Sequence, residues 1–234
     1  MAPIEGTLQG LAQVQGYEGL TLRINEMYRR VTEAVDDLAR LAPPASLASE
    51  HGRFVGALRR FKGEVAFLVG RVGFKKMCTG ALVRTEMARA DGADVLRSLA
   101  GFPRAEPVEE TRPANGSIVR RGTFGGRWKL TVGNGLFDDD AVVAFAQGGE
   151  LVLSVYVRRN ASVVVTGVPG AGNDVFYATG NGWDGRIRAF NRDCAFKRFD
   201  EEPRYRSTKD IWRIDLMDVG GLRAVSVGPG GFPD

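Results

Sequence analysis

The stretch from Gly180 to Asp200 holds the densest set of side chains that could do chemistry. It lies between two predicted strands, and long loops at the end of a rigid sheet are where binding residues commonly sit. A tryptophan there can stack on a sugar ring while a neighbouring carboxylate accepts its hydroxyl hydrogens. The alternative is a tryptophan that closes one end of the core, with Asp–Arg pairs around it, as expected for a residue that is usually well buried. The candidate binding residues are Trp183, Asp184, Arg186, Arg188 and Asp193.

The same stretch contains the pattern G-x-G-x-x-G at Gly180, Gly182 and Gly185. A dinucleotide site needs a helix directly after this motif, because the N-terminus of that helix receives the pyrophosphate. Here a polar loop and another strand follow. The pattern therefore predicts a wide loop of a β-sandwich, and no cofactor is predicted.

Three further sets of residues could serve catalysis or metal binding, and each has a simpler interpretation. Asp184, Asp193 and Asp200 could supply the acid and base of a hydrolase, but any loop offers such pairs by chance. Asp138–Asp140 could offer oxygens to calcium, but consecutive side chains point in different directions, so a solvated turn is favoured. The only histidine, His51, is predicted to lie on the helix surface or in a contact of the helical hairpin. No catalytic residue and no metal site are predicted.

Charge and cysteine content narrow the class of partner. There are 32 basic and 28 acidic residues, a net charge of +4, which supports only weak attraction to anionic polymers. The basic pairs Arg59-Arg60, Lys75-Lys76 and Arg120-Arg121 are spread over both halves, which predicts solvated surface and no nucleic-acid partner. The two cysteines, Cys78 and Cys194, could form a disulfide in an oxidising compartment or stay as two buried thiols.

The N-terminal half has the apolar spacing of helices. One stripe begins at Ile24 and ends before Pro43-Pro44, where a turn is expected, and Ser46 is a candidate N-cap for a second helix. A short turn between two amphipathic helices predicts an antiparallel hairpin. A third helix is expected from about Ala81 to Leu99, with an interruption at Gly92. The second stripe consists of Leu47, Phe54, Val55, Leu58, Phe61, Val65, Leu68, Val69 and Val72.

The C-terminal half alternates short apolar runs with glycine-rich turns, which is typical of an all-β sandwich. The sequence therefore predicts an α+β protein with a helical hairpin domain (1–101), a linker (102–126) and a β-sandwich domain (127–234). Gly148-Gly149 is expected to form a hairpin turn. The expected strands are Trp128–Val132, Ala141–Ala146, Leu151–Val157, Ser162–Thr166, Val175–Ala178, Ala195–Phe199, Ile211–Leu216 and Leu222–Val227.

Several segments of this half resemble modules of actinobacterial extracytoplasmic proteins, many of them lipoproteins of unknown function. The resemblance covers about the last 110 residues and implies a cell-envelope location and no catalytic residue. An oxidising envelope would also favour a Cys78–Cys194 bond. The helical hairpin, with Leu41-Ala-Pro-Pro and His51, is similar to segments of secreted bacterial proteins. The matching segments are Trp128–Val132, Asp140–Val143, Ser154–Arg158, Val165–Pro169, Tyr177–Asp184, Arg188–Phe196, Arg198–Asp200 and the closing Gly-Phe-Pro.

These observations predict a non-catalytic binding or interaction module at the bacterial cell envelope. Its partner would be a glycan, an envelope polymer or a protein, held by loops of the sandwich around Trp183. The alternatives are a structural protein that docks a partner through its helices, and a hydrolase that uses loop carboxylates. The start of the chain lacks the profile of a signal peptide and no run is long enough to span a bilayer, so export would need a signal or anchor that this sequence does not contain.

Overall fold

The structure is a computed structural model, and the chain divides into two compact units, Met1–Glu109 (the helical unit) and Glu110–Asp234 (the β unit). Glu110 falls inside the predicted linker. The fold class is α+β, with helices in the first unit and two sheets in the second, as the sequence predicts. The residues described are 7, 10–11, 14, 16–94, 97, 108–122, 126, 128–135, 138–168, 172–200, 212–216 and 223–233.

The helical unit is built on a hairpin of α1 (Tyr17–Arg40) and α2 (Ala48–Gly73), followed by α3 (Gly80–Arg89). The predicted stripes form the core, because residues three and four apart lie on one face of a helix. His51 lies within 3.0 Å of the carbonyl of Leu38, so the histidine joins α2 to α1 as expected. The buried core residues of the two long helices are Leu20, Ile24, Met27, Val31, Val35, Val55, Ala57, Leu58, Phe61, Val65, Leu68 and Val72.

Details at the helix ends differ from the prediction. Ser46 lies in a 3-10 turn, Ala45–Leu47, and the N-cap of α2 is Leu47. The exposed Leu47 does not join the buried stripe. The 3-10 turn moves the start of α2 by one residue, and helix starts are the least certain part of such a prediction. Residues 95–96 and 98–100, where the third helix was expected to end, lie outside the described residues.

The β unit is a sandwich of a seven-stranded and a three-stranded sheet. Its strands are β1 (Glu110–Thr111), β2 (Ile118–Arg121), β3 (Trp128–Asn134), β4 (Asp140–Gln147), β5 (Glu150–Val157), β6 (Ala161–Val168), β7 (Asn173–Asp184), β8 (Ala189–Phe199), β9 (Trp212–Asp215) and β10 (Ala224–Ser226). The large sheet has the order β10-β8-β7-β4-β5-β2, with β1 added beside β7, and the small one has the order β6-β3-β9. Among the described strands, all pairs are antiparallel except β3 with β9.

The sandwich core lies between the sheets. It joins Leu130 and Val132 of the small sheet to Val143, Phe145 and Val155 of the large one. Gly148 and Gly149 both have positive φ angles, 59° and 87°, which confirms the tight turn between β4 and β5. The first two strands, β1 and β2, lie in the segment predicted as linker. No helix in the part of the chain that the structure describes is long and apolar enough to cross a membrane.

Candidate functional site

The stretch predicted as a wide loop is a β-hairpin. The strand β7 continues to Asp184, a turn covers Gly185–Arg188, and β8 begins at Ala189. The first residue of β4, Asp140, pairs with Gly180 of β7. Beyond that point the short strand β1 pairs with the last two residues of β7. The loop prediction is therefore wrong. Glycines and polar residues interrupt the apolar–polar alternation by which a strand is recognised in sequence. The two strands nevertheless pair with each other through backbone hydrogen bonds.

The glycines of the G-x-G-x-x-G pattern are explained by this hairpin. A Cβ at Gly180 would lie 2.6 Å from the Cβ of Phe190 and 2.9 Å from the carbonyl of Arg192, so the two strands come closest there. Gly182 has a φ of 65°, which a side chain disfavours. A strand and not a helix follows the motif. The pattern therefore serves strand packing.

Trp183 is buried, with only 5% of its surface exposed. Its ring meets Phe190 edge-on at a centroid distance of 5.1 Å and Tyr156 at 5.5 Å. Such edge-to-face contacts are favourable arrangements of aromatic rings. As the alternative interpretation expects, this tryptophan is buried, here among aromatic rings, and it does not offer an open face to a sugar.

Asp184 is fully buried and shapes the hairpin turn. Its Oδ1 accepts a hydrogen bond from the backbone N–H of Arg186 at 2.9 Å, an Asx turn. The guanidinium of Arg186 lies 3.7 Å from the same oxygen and is about half exposed. Asp200 follows the last residue of β8, at the far end of the hairpin from Asp184. These two carboxylates are not brought together as an acid and base pair.

The remaining two predicted site residues have left-handed backbones. Asp193 has a φ of 55° and lies at a bulge, where the register shifts between Thr179 and Asn181. Arg188, with a φ of 52°, ends the hairpin turn and is exposed. Of the five predicted residues, Trp183 lines one cleft and Arg188 another. The structure therefore does not gather the five in a single concave site.

The concave site beside Trp183 is a cleft of about 330 Å³, called here the polar cleft. It lies where β1 meets β7, on the face of the large sheet turned away from the sandwich core. A cleft of this size can hold one sugar unit or one amino-acid side chain, near the lower limit of small-molecule sites. Its lining residues are Glu110, Thr111, Arg112, Asp140, Tyr156, Arg159, Asn181, Gly182 and Trp183.

Asp140 is the centre of the polar cleft, and its carboxylate accepts four hydrogen bonds. Arg112 donates two of them in a forked arrangement, from Nε at 2.9 Å and Nη2 at 2.8 Å. The hydroxyl of Tyr156 donates the third at 2.6 Å, and the backbone N–H of Arg159 the fourth at 2.8 Å. Forked arginine contacts fix the orientation of a carboxylate as well as stabilising its charge.

These contacts decide the ionisation of the cleft. Burial alone would raise the pKa of Asp140, but the hydrogen bonds from Arg112, Tyr156 and the Arg159 backbone outweigh it and hold the pKa at about 2. Burial, together with the bond to Asp140, raises the pKa of Tyr156. At neutral pH the pair is therefore a carboxylate and a protonated phenol. A carboxylate of this kind cannot serve as a general acid near neutral pH.

The acidic turn Asp138–Asp140 does not converge on one point. Asp140 binds Arg112, whereas Asp139 accepts a hydrogen bond from the amide of Asn181. Burial raises the pKa of Asp139, opposed by the Asn181 bond and assisted by the nearby negative charge of Asp193. Across the described residues there is no group of three or more His, Cys, Asp or Glu side chains that could hold a metal ion.

Sequence reasoning missed the residues that β1 brings to the cleft. Glu110 pairs with Arg192 of β8 at 2.8 Å, and Thr111 lies opposite Trp183 in the β1–β7 register. Both come from the segment predicted as linker, in which apolar and polar residues do not alternate as they do in a half-buried strand. A signal did exist at Asp140, which belongs to the acidic turn directly before the predicted strand Ala141–Ala146, but its arginine partner lies 28 residues earlier.

Fold and site together define a two-unit α+β protein whose sandwich unit carries a small, charged and preorganised cleft. No family model, no curated protein and no solved structure matches the chain. The resemblance to actinobacterial envelope modules therefore stays a prediction, and the function must be argued from the cleft itself.

Proposed function

We propose that this protein is a non-catalytic binding module of the bacterial cell envelope. Its polar cleft would take one polar unit of a glycan, an envelope polymer or a partner protein. The observation that carries the proposal is the Asp140 centre, in which four donors hold an ionised carboxylate in place. Groups fixed before the ligand arrives lower the entropic cost of binding.

The same observation favours binding over hydrolysis. A glycosidase needs one carboxylic acid that keeps its proton at neutral pH beside a second, ionised carboxylate. The cleft has two acidic lining residues, and Asp140 is held ionised while Glu110 is paired with Arg192. Asp139, whose pKa is raised, does not line the cleft.

The test follows the indole N–H of Trp183 by NMR while soluble cell-wall polysaccharide, peptidoglycan fragments or neutral dextran are added to the full chain. Binding in the cleft should shift this signal with one of the first two probes and not with dextran. Arg159→Ala should weaken binding about tenfold, because its side chain lines the cleft. Its backbone N–H, which binds Asp140, is kept. Arg198→Ala, an exposed arginine of β8 outside the cleft, should change nothing. Shifts confined to other residues would contradict the proposal.

We also propose an extracytoplasmic location, supported by the state of the two cysteines. Neither Cys78 nor Cys194 is a free thiol. Disulfides persist in oxidising compartments and are rare in the cytosol. Alkylation and intact-mass measurement of protein purified without reductant should find no reactive thiol, and two after reduction. Two alkylated cysteines before reduction would contradict this location.

Two exposed phenylalanines, one near the end of α2 and one directly after it, favour a second candidate function, the docking of a partner by the helical unit. Phe67 and Phe74 are 64% and 82% exposed and lie two turns apart on one face. Gly63 and Gly70 share that face, and no atom lies within 4 Å of where their Cβ atoms would be. A smooth apolar strip of this kind is suited to close packing against another helix.

A second copy of the chain is the occupant that this strip fits. Two antiparallel α2 helices crossing at Gly63 would place Phe74 opposite Gly52 and Phe67 opposite Arg59, so each ring meets a small or a cationic residue. Light scattering should then show a dimer that Phe67→Glu disrupts and Arg53→Glu, elsewhere on α2, does not. A monomer at high concentration would rule out this candidate.

A further inference from the structure

A second groove of the β unit lies beside the tip of the β7–β8 hairpin and is called here the arginine groove. It has a volume of about 460 Å³. Strand β2, the start of β5 and the hairpin turn each contribute to it, so three separate parts of the unit meet there. Its lining residues are Val119, Arg120, Arg121, Gly122, Glu150, Leu151 and Arg188.

The charge of the groove is strongly positive and largely uncompensated. Three arginines line it against one acid, Glu150. Neither Arg121 nor Arg188 makes an ion pair with any residue that the structure describes, and both are exposed. Elsewhere in the unit, by contrast, Arg112 and Arg192 are paired with carboxylates. Guanidinium groups without a protein partner are available to an external anion.

The backbone around the groove is specifically shaped. A Cβ at Gly122 would lie 1.8 Å from the carbonyl of Leu151, so only glycine allows β2 to lie this close to β5. Arg188 has a φ of 52°, a left-handed conformation that glycine adopts more easily than any residue with a side chain. A glycine would end this turn at lower cost, and the fold instead holds a guanidinium there.

We propose that the arginine groove binds an anionic polysaccharide through its phosphate or carboxylate groups. The arginine fork matches the paired oxygens of either group. A nucleic acid would call for aromatic side chains on which bases stack, and none of the described residues that line the groove is aromatic. A lipid surface would call for exposed apolar side chains, whereas Val119 is half-buried and Leu151 is buried. The inference does not rest on the polar cleft.

The experiment titrates the full chain with four probes at 150 mM salt, using calorimetry. Oligogalacturonate supplies carboxylates, polyglycerol phosphate supplies phosphodiesters, dextran is neutral, and single-stranded oligothymidine is the competing polyanion. Arg121→Ala removes one free guanidinium. Arg188→Gly removes another while easing the backbone at φ 52°, so this variant keeps its fold. Arg198→Ala is the control, with the same loss of charge outside the groove.

We expect one of the two anionic glycans to bind, and dextran not to bind. Each groove variant should weaken that binding about tenfold, the equivalent of one charge-assisted hydrogen bond, while Arg198→Ala stays within about twofold. The better of the two probes identifies the oxyanion. Arg159→Ala, which alters only the polar cleft, should bind normally, so this result is independent of the proposed function.

Three results would overturn the inference. Equal weakening by Arg198→Ala would mean attraction by net charge alone. Equal or tighter binding of oligothymidine would mean a nucleic-acid site or an unselective one. No binding by either anionic glycan would leave the groove without its proposed ligand.

Discussion

The ion pairs on the surface of α1 and those beside the polar cleft differ in how far apart their partners lie along the chain. On α1, Glu26 binds Arg29 and Arg30 across single turns, on the solvent side. Beside the cleft, Arg112 reaches Asp140 across 28 residues and Arg192 reaches Glu110 across 82. Exposed pairs within a helix add little to stability, because solvent screens their charges. The long-range pairs instead fix the geometry of a cleft.

The comparison shows where chemistry can be assembled. Neighbouring side chains on one face of a helix are three or four residues apart in sequence, so the charged pairs on that face are local. A sheet places residues side by side that are distant in sequence, and the polar cleft is a product of that pairing. The helical unit accordingly contributes an apolar core, and the β unit contributes the preorganised charges.

The largest effect is expected from the helical core. Phe61 is fully buried in α2, so Phe61→Ala should lower the free energy of unfolding by about 3–5 kcal/mol. The exposed Phe67 of the same helix provides the control, and Phe67→Ala should cost less than about 0.5 kcal/mol. Urea unfolding followed by circular dichroism at 222 nm reports on the helices. Similar losses for both variants would show that the hairpin core is wrongly placed.

A smaller loss is expected from the close approach in the β7–β8 hairpin. Gly180→Ala would press a methyl group against Phe190 and the carbonyl of Arg192, and should cost about 2 kcal/mol. Gly185→Ala meets only the hydroxyl of Thr111, at 3.6 Å, and should be nearly neutral. All three tryptophans lie in the β unit, so their fluorescence reports its unfolding. If Gly180→Ala were also neutral, the strands could not be this close.

This hairpin also marks the limit of what the sequence could predict. The helical stripes follow the period of 3.6, β3 begins with a period-2 alternation, and β4 to β6 are short apolar runs bounded by turns, so sequence patterns find all of them. At Asp193 the bulge inserts a residue and breaks that period. The tip of the hairpin therefore resembles a loop in sequence, although its backbone is paired.

The cleft was less predictable than the fold because its partners carry no shared pattern. Arg112 lies among prolines in a segment without alternation, and nothing local links it to Asp140. Trp183 attracted attention as an aromatic among polar residues, yet its neighbours across the sheet, Tyr156 and Phe190, bury it. Residue type therefore drew attention to this segment, but it did not reveal the neighbours that bury the ring.

The Asp140 centre should make a contribution that depends on pH. Asp140→Asn removes the charge that Arg112 and Tyr156 stabilise, and should cost about 2 kcal/mol at pH 7. With the folded pKa at about 2 and an ordinary unfolded value near 3.9, this contribution is fully present above about pH 4. It should be lost as the pH falls through 2. The exposed Asp138 gives the control, and Asp138→Asn should cost almost nothing in stability at pH 7.

Asp139→Asn should change the free energy of unfolding least, and it should stabilise the protein at pH 7 where Asp140→Asn destabilises it. Burial raises its pKa, so the folded state disfavours its charge. The stability linked to this group is present at low pH and is lost as the pH rises through the raised pKa. Asp139→Asn mimics the protonated form and can still accept the hydrogen bond from Asn181, so it should stabilise the β unit by about 0.5 kcal/mol at pH 7. Below about pH 4 the gain should vanish, because the wild-type carboxyl is then neutral in both states.

Thermal unfolding of both asparagine variants by tryptophan fluorescence, at pH 3 and pH 7, compares the two carboxylates directly. If both variants destabilised the protein at pH 7, Asp139 would be a second stabilised carboxylate next to Asp140, and burial would not be what governs its charge.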